Sequence, residues 1–416
     1  MEEIVFGLDI GTTKVCALVG EVRGNQLQII GMGVQPARGM RKGMVIDVAE
    51  ASVAMAKAVE EAEQTSGYDL SQALVSMAGE HISSLNNRGI VAISHHKTAG
   101  HKTMGHKGGG VNADDIGRAL DMAQAIPIPH NRQIVHLIPR SYTVDDQENV
   151  RSPLGMHGYR LEVEAHIVTG ASPALLNLTR CIQNVGINSE AFILNALASA
   201  DAVLEPTERE MGVIIADIGG GTTDIALYTE GNVWHTSVIP VGGYHITNDV
   251  AIGLRAPYDV AEMVKIRYGD CRPDQIDPAI LFTVEPFGGE KIQVSRQDLA
   301  HVIEARVEEI FQLVLQEIER SGYDGLLPAG IVLTGGTAQL RGIADIAERV
   351  LKVPARVAAP KNLVGLVDTL RSPAFATSVG LLRWGMNGHQ MYQPRPSVQV
   401  DWGRRVGEIL KALLPG

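Results

Sequence analysis

The sequence predicts a duplicated α/β fold of two lobes, with a small α+β subdomain inserted in the first half. Three observations predict it. A motif recurs at half the chain length, a third glycine turn follows a later strand, and one stretch of the first half breaks the strand-helix alternation. Residues 8–18 read LDIGTTKVCAL and residues 216–227 read ADIGGGTTDIAL, differing by two added glycines and a few substitutions. The leading aspartates, Asp9 and Asp217, are 208 positions apart in a chain of 416. Glycine-asparagine turns at 24–25 and 231–232 then lead into apolar runs ending near Val34 and Val241, so the parallel continues downstream.

Taken in order, the patterns predict strands over 4–9, 15–22 and 27–34, a helix over 48–64 and a buried strand over 73–77. The inserted subdomain spans 82–168. It holds a Gly/His/Lys-rich loop at 95–111, a helix near 114–126 and extended segments near 134–142 and 161–169. The second half has strands over 213–217, 225–229 and 233–239 and helices over 245–254, 260–268 and 296–320. A short buried strand at 331–333 is followed by a helix running to Leu351. Residues 386–400 carry Pro394 and Pro396 and few apolar anchors, which marks a linker. The domains are therefore 1–81 with 169–204, the insert 82–168, the second lobe 205–385 with a smaller subdomain at about 255–325, the linker, and a tail from 401 to 416.

Bulk composition narrows the function. Apolar residues make up 45% and charged residues 20%, as in folded soluble proteins. A net charge of −11 opposes non-specific nucleic-acid binding, so no nucleic-acid partner is expected. Cys16, Cys181 and Cys271 are scattered without metal-type spacing, which fits reduced thiols in the cytosol. No signal peptide is read at the N-terminus, and no window approaches the ~20 apolar residues of a spanning helix.

The Gly-Thr-Thr turns have a physical use. Glycine lets backbone approach an anion, successive amides form an anion nest, and threonine hydroxyls add donors. Two such turns facing each other can grip a polyphosphate from both sides: Gly11, Thr12 and Thr13 with Lys14, and Gly219, Gly220, Gly221, Thr222 and Thr223 with Asp224. Asp9 and Asp217 would repel phosphate, so their expected work is to hold Mg²⁺ through water. Lys14 is expected to neutralise phosphate charge, and Asp224 at the matching place makes the halves chemically unequal. Gly335, Gly336 and Thr337 form a glycine turn after the 331–333 strand, where a ring or ribose can lie on backbone. A Walker A loop is excluded because no Gly-Lys dipeptide occurs.

With these motifs the sequence resembles the actin, Hsp70 and sugar-kinase superfamily, whose first phosphate, second phosphate and adenosine motifs come in this order. The resemblance implies an actin-like fold of the ribonuclease H-like duplicated kind, with connecting helices at 196–204 and 374–384. Within the superfamily it resembles the FtsA family over nearly the whole chain, including 39–47 (GMRKGMVID), 137–139 (LIP), 239–243 (IPVGG, with Gly242 and Gly243) and 360–365 (PKNLVG). The insert falls where that family carries its extra domain. Glu262 and Lys265 match the family's helix that packs on adenosine, and the alternative is a solvated i, i+3 ion pair. Hsp70-like members place a glutamate near the attacking water. Here only Asn195 is polar at that place, so ATP binding with at most slow hydrolysis is expected.

The tail reads DWGRRVGEILKALLPG. Trp402, Val406, Ile409, Leu410 and Leu413 fall on one helical face, extended by Leu414, with Arg404, Arg405, Glu408 and Lys411 opposite. The resemblance turns this helix into an anchor on anionic membrane at the division site, on the cytoplasmic side. It also implies self-association into protofilaments and binding of the FtsZ C-terminal peptide, with Arg296 and Arg306 on the 296–320 helix as candidates. His95, His96, His101 and His106 match no metal spacing and are read as an exposed loop. A small-molecule kinase of the same fold would need a further aspartate base, and a pilus-assembly relative shares the nucleotide motifs but not the tail.

Overall fold

A computed structural model describes residues 3–24, 26–94, 109–323 and 325–387. The first lobe is built on strands β1 (Glu3–Ile10), β2 (Lys14–Arg23) and β3 (Gln26–Pro36), helix α1 (Val48–Ser66) and strand β4 (Gln72–Met77). β1 is buried along nearly its whole length because helices cover both sheet faces, so it reads as a continuous apolar run. β3 alternates buried and half-exposed positions instead. Asp47 caps α1, its carboxylate accepting from the Glu50 amide at 3.0 Å.

The insert contains β5 (Ser83–Ala92), α2 (Ala113–Gln124), β6 (Arg132–Val144), β7 (Gln147–Val150) and β8 (Arg160–Ala171). They form a sheet in the order β7-β6-β8-β5 with α2 on one face. Gly89 of β5 lies so close under α2 that a Cβ there would stand 1.9 Å from the Ala119 carbonyl. β5 and β7 were not read from the sequence. Both carry polar and charged residues on an open face, and Leu85 and Ile90 of β5 are exposed.

The chain returns to the first lobe through α3 (Ser172–Gln183) and β9 (Asn188–Leu194), also unforeseen, and crosses over on α4 (Asn195–Val203). The second lobe holds β10 (Val213–Ile218), β11 (Thr223–Thr229), β12 (Asn232–Ile239), α5 (Gly243–Leu254), α6 (Tyr258–Tyr268), α7 (Arg296–Arg320), β13 (Ile331–Thr334), α8 (Ile343–Leu351) and β14 (Ala355–Val357). After a short strand β15 (Val364–Gly365), α9 (Ala376–Met386) crosses back. The lobe sheets run β9-β4-β1-β2-β3-β15 and β12-β11-β10-β13-β14. In both, the leading strand sits between an antiparallel hairpin partner and a parallel neighbour, β4 or β13. The duplication read from the motifs is thus present in the topology.

Two expected helices start differently. The helix predicted to run from the third glycine turn to Leu351 is a 3₁₀ turn, Gly336–Gln339, followed by α8. Gly342 takes φ 78° between them, which ends helical backbone there. The 374–384 helix opens as a 3₁₀ turn at Pro373–Phe375 before α9. α4 and α9 pack with almost no side chain between them, since a Cβ on Gly380 would stand 1.8 Å from the Ala198 carbonyl. Among the described residues no helix is long and apolar enough to cross a membrane, and the three cysteines are buried and free.

Candidate functional site

The two Gly-Thr-Thr turns close their hairpins alike. Gly11 N–H donates to the Lys14 carbonyl and Gly219 N–H to the Thr222 carbonyl, each at 2.9 Å. These turns put Asp9 and Asp217 at equivalent strand ends, opposite Cys16 and Asp224. The turns then meet across the lobes. A Cβ on Gly220 would stand 2.4 Å from Thr13 Cγ2, and one on Gly221 would stand 2.7 Å from Thr12 Oγ1. Only glycine permits that approach.

The turns enclose a cavity of about 130 Å³ lined by Asp9, Gly11, Thr12, Thr13, Lys14, Asn195, Asp217, Gly219, Gly220, Gly221, Thr222, Asp224, Gly335 and Gly336. The carboxylates here are held by short-chain hydroxyls. Asp9 accepts from Ser76 at 3.0 Å and Ser378 at 2.6 Å, and Asp217 accepts from Ser199 at 2.5 Å and Thr377 at 2.7 Å. Asp224 accepts from Thr222 at 2.8 Å, while its Oδ1 is buried without a partner, as is Asn195 Oδ1.

Electrostatics follow from burial. Burial pushes the Asp217 carboxyl up against the pull of its two hydroxyl donors, with Asp9 adding to the rise. Asp224 is pushed well above the carboxylate range, by burial first and then by Asp217. Lys14 was expected to face phosphate, but its ammonium lies 3.0 Å from Asp9 and 4.8 Å from the Phe375 ring centre. Burial alone would lower Lys14, yet the charge and hydrogen bond of Asp9, with smaller contributions from Cys16 and Asp217, together outweigh it and hold the lysine above its usual value.

A second cavity, of about 460 Å³, adjoins the first at Thr13, Gly220 and Gly336 and is lined by Gly243, Tyr244, Glu262, Lys265 and Thr337. Thr337 Oγ1 donates to the Gly219 carbonyl at 2.9 Å, fastening the third glycine turn to the second loop. Gly335 sits at φ 85°, where a Cβ would be 2.4 Å from Asp217 Oδ1. Glu262 and Lys265 do form an i, i+3 pair at 2.7 Å, but it faces this cavity, and Lys265 also donates to Gly243 O and Thr247 Oγ1.

Two sequence-predicted residues line neither cavity. Thr223 is buried with its hydroxyl donating to Val241 O at 2.8 Å, because its strand position faces the sheet interior. Gly242 lies against the Gly219 and Gly220 carbonyls and lets the second loop pack on α5. Arg306 is engaged by Asp249 and Glu309, and Arg296 by Tyr268 O and Asp270, so neither is a bare cation. The tail residues Trp402, Arg404, Arg405, Val406, Ile409, Leu410, Leu413 and Leu414, and His95, His96, His101 and His106, lie outside the described residues. Among the described residues no group of three His, Cys, Asp or Glu is gathered to hold a metal directly. Sequence reasoning missed Ser76, Ser199, Thr377, Ser378 and Gly43. The signal for Ser199, Thr377 and Ser378 was small hydroxyls on otherwise apolar connecting helices.

Comparison with known proteins agrees with this architecture. A family model described as "Cell division protein FtsA" matches residues 214–380, and one described as "SHS2 domain inserted in FTSA" matches 79–169. The cell division protein FtsA of Pseudomonas aeruginosa is 44% identical over 92% of this chain and 89% of its own. That of Escherichia coli K12 is 35% identical over 98% of both chains. Among solved structures, a chain of the PilM-PilN type IV pilus biogenesis complex superposes with a TM-score of 0.66 at 17% identity, covering 92% of this chain and 98% of that one. MreB5 of Spiroplasma citri bound to ADP superposes at 0.53 and 14% identity, covering 93% and 99%. These two likenesses are of fold alone, which is actin-like, whereas the sequence relatives share identity along the chain. The chain belongs to the FtsA family of actin-like cell division proteins.

Proposed function

We propose that this cell-division protein binds ATP between its lobes, self-associates into protofilaments and tethers FtsZ filaments to the cytoplasmic face of the membrane. The observation that carries the reading is the meeting of the Thr13 and Gly220 turns over one cavity lined by carboxylates, hydroxyls and glycine backbone, adjoining a larger cavity suited to adenosine. The phosphates would lie among Gly11 to Thr13 and Gly219 to Thr222. The adenosine would lie beside Gly243, Glu262, Lys265, Gly336 and Thr337. The superposed MreB5, at the level of fold, is a protein bound to ADP.

Mg²⁺ fits the same site through water. Asp9 and Asp217 already accept hydrogen bonds, and a hydrated cation would give the unpartnered Asp224 Oδ1 a donor. Asp9 and Asp217 would hold the ion, which neutralises phosphate charge when bound. Asn195 presents a neutral amide that cannot take a proton, which supports tight binding with slow turnover. Binding across two lobes biases their relative angle and hence self-association.

We read 1–81 with 169–204 and 205–385 as the lobes, 82–168 as the insert, and 401–416 as a membrane helix after a linker. The second lobe, near 255–325, would take the FtsZ C-terminal peptide. Fluorescent ATP with Mg²⁺ tests the core of the reading: saturable binding is expected, and no measurable affinity overturns it. Deleting 402–416 is expected to abolish sedimentation with anionic liposomes while leaving nucleotide binding intact, and unchanged sedimentation overturns the anchor.

A further inference from the structure

We propose that Lys42 is the cation that meets the terminal phosphate of the bound nucleotide, and that the turn carrying it reports whether that phosphate is present; this rests on the ATP-binding reading above. Met40 pairs with Val45 and Arg41 with Met44, leaving Lys42 and Gly43 as a two-residue hairpin turn. Both have positive φ, 48° and 73°. Such turns favour glycine, asparagine and aspartate, so a lysine here runs against the backbone preference. Its charge is the property that distinguishes it from those residues.

The turn touches both phosphate loops. Gly43 N–H donates to Thr12 Oγ1 at 3.2 Å and lines the inner cavity. Lys42 belongs to the first lobe, yet a Cβ on Gly221 of the second would lie 3.0 Å from Lys42 Cα. In front of the loops is an outer cavity of about 740 Å³ to which Lys42 contributes.

The arrangement gives the nucleotide a direction. The inner cavity shares Thr13 and Gly220 with the adenosine side, and Thr12 and Gly221 with the outer cavity. The outer cavity also borders the adenosine side at Tyr244 and Glu262, but a nucleotide whose base lies by Lys265 and whose phosphates run through the inner cavity points its last phosphate toward Thr12, Gly221 and the Lys42–Gly43 turn. The nearby lysines are committed elsewhere: Lys14 to Asp9 at 3.0 Å, and Lys265 to Glu262 at 2.7 Å. Lys42 is half-buried and has no ion-pair partner among the described residues. His245, in the same outer cavity, is held below its ordinary value by burial and then by the Lys42 charge, which agrees with an ammonium directed into that space. A charge-assisted contact there distinguishes ATP from ADP because only ATP reaches it.

The test uses the full chain with Mg²⁺ and fluorescent ATP and ADP. Lys42→Gly suits the positive-φ turn and removes the charge, while Lys42→Arg keeps the charge. Lys42→Gly is expected to bind ATP about tenfold more weakly while ADP affinity stays within about twofold, and Lys42→Arg is expected to retain most of the preference for ATP. In the wild type, ATP but not ADP is expected to slow trypsin cleavage after Arg41 and Lys42. A Lys42→Gly protein with the wild-type ATP-to-ADP ratio overturns the assignment. If the wild type binds neither nucleotide, the ATP-binding reading has failed, and the role of Lys42 falls with it.

Discussion

Ser378 and Asp9 are 369 positions apart, and the Ser378 hydroxyl donates to the Asp9 carboxylate at 2.6 Å. The adjacent residue, Thr377, donates to Asp217 at 2.7 Å. One turn of α9 therefore holds the leading aspartates of both lobes. Ser199 on α4 joins the same group through Asp217 and Thr377. The connecting helices are thus part of the site.

Ser378→Ala removes a donor to a buried carboxylate. The folded protein is expected to lose about 1.5–3 kcal/mol, the usual worth of a hydrogen bond to a charged group. Urea midpoints of the variant and wild type, with unchanged m values, check it.

Gly335→Ala and Gly220→Ala separate folding from binding. Gly335 needs φ 85° and abuts Asp217, so its alanine variant is expected to be destabilised by more than about 1 kcal/mol. Gly220 has no such φ requirement, and its Cβ meets a Thr13 methyl across the lobes. That variant is expected to melt near the wild-type temperature but to bind ATP at least tenfold more weakly, about 1.4 kcal/mol. Calorimetry and nucleotide titration on the same samples distinguish the two.

Asp224 gives a pH signature without nucleotide. Burial and Asp217 hold its folded-state carboxyl well above the ordinary value, so the folded chain keeps a proton that the unfolded chain releases. Its contribution is full at acid pH and is lost as pH rises through the raised value. Asp224→Asn is therefore expected to be more stable than wild type at pH 8, with the gap narrowing toward pH 4. Thermal melts across that range decide it.

His136 and His166 act in the opposite direction. Burial lowers His136 to about 4 and His166 to about 3, so unfolding takes up protons below the ordinary histidine value of 6.5. Each is expected to remove up to about 1.4 kcal/mol per pH unit as pH falls from 6.5 toward those values. His136→Gln should flatten the acid limb of the stability profile.

On the ATP-binding reading, bound ATP is expected to turn over more slowly than about one per second, a low value among enzymes, because Asn195 offers the inner cavity a neutral amide that cannot take a proton. Single-turnover quench measurements test this directly.

Much of the lobes was legible because local rules decide it. The β1–β2 and β10–β11 hairpins announce themselves by apolar strands flanking glycine-threonine turns, and α7 covers the same 296–320 that its periodicity predicts. The insert was harder to read, since β5 has a polar open face and β7 is short. Lys14 lines the inner cavity as its motif predicts, but its pairing with Asp9 across the hairpin follows from strand register, which the motif alone does not fix.

The sequence alone determined the duplication, the turns that end each leading strand, and the residues that crowd those turns, because hairpin chemistry acts over a few neighbouring positions. Tertiary structure decided which hydroxyls hold the aspartates, that Lys14 is spent on Asp9, and that the Lys42–Gly43 turn reaches both loops. The hydroxyl contacts of Ser199, Thr377 and Ser378 depend on how α4 and α9 cross, with Gly380 against the Ala198 carbonyl. A helix crossing sums packing along the whole chain, and no local pattern encodes it.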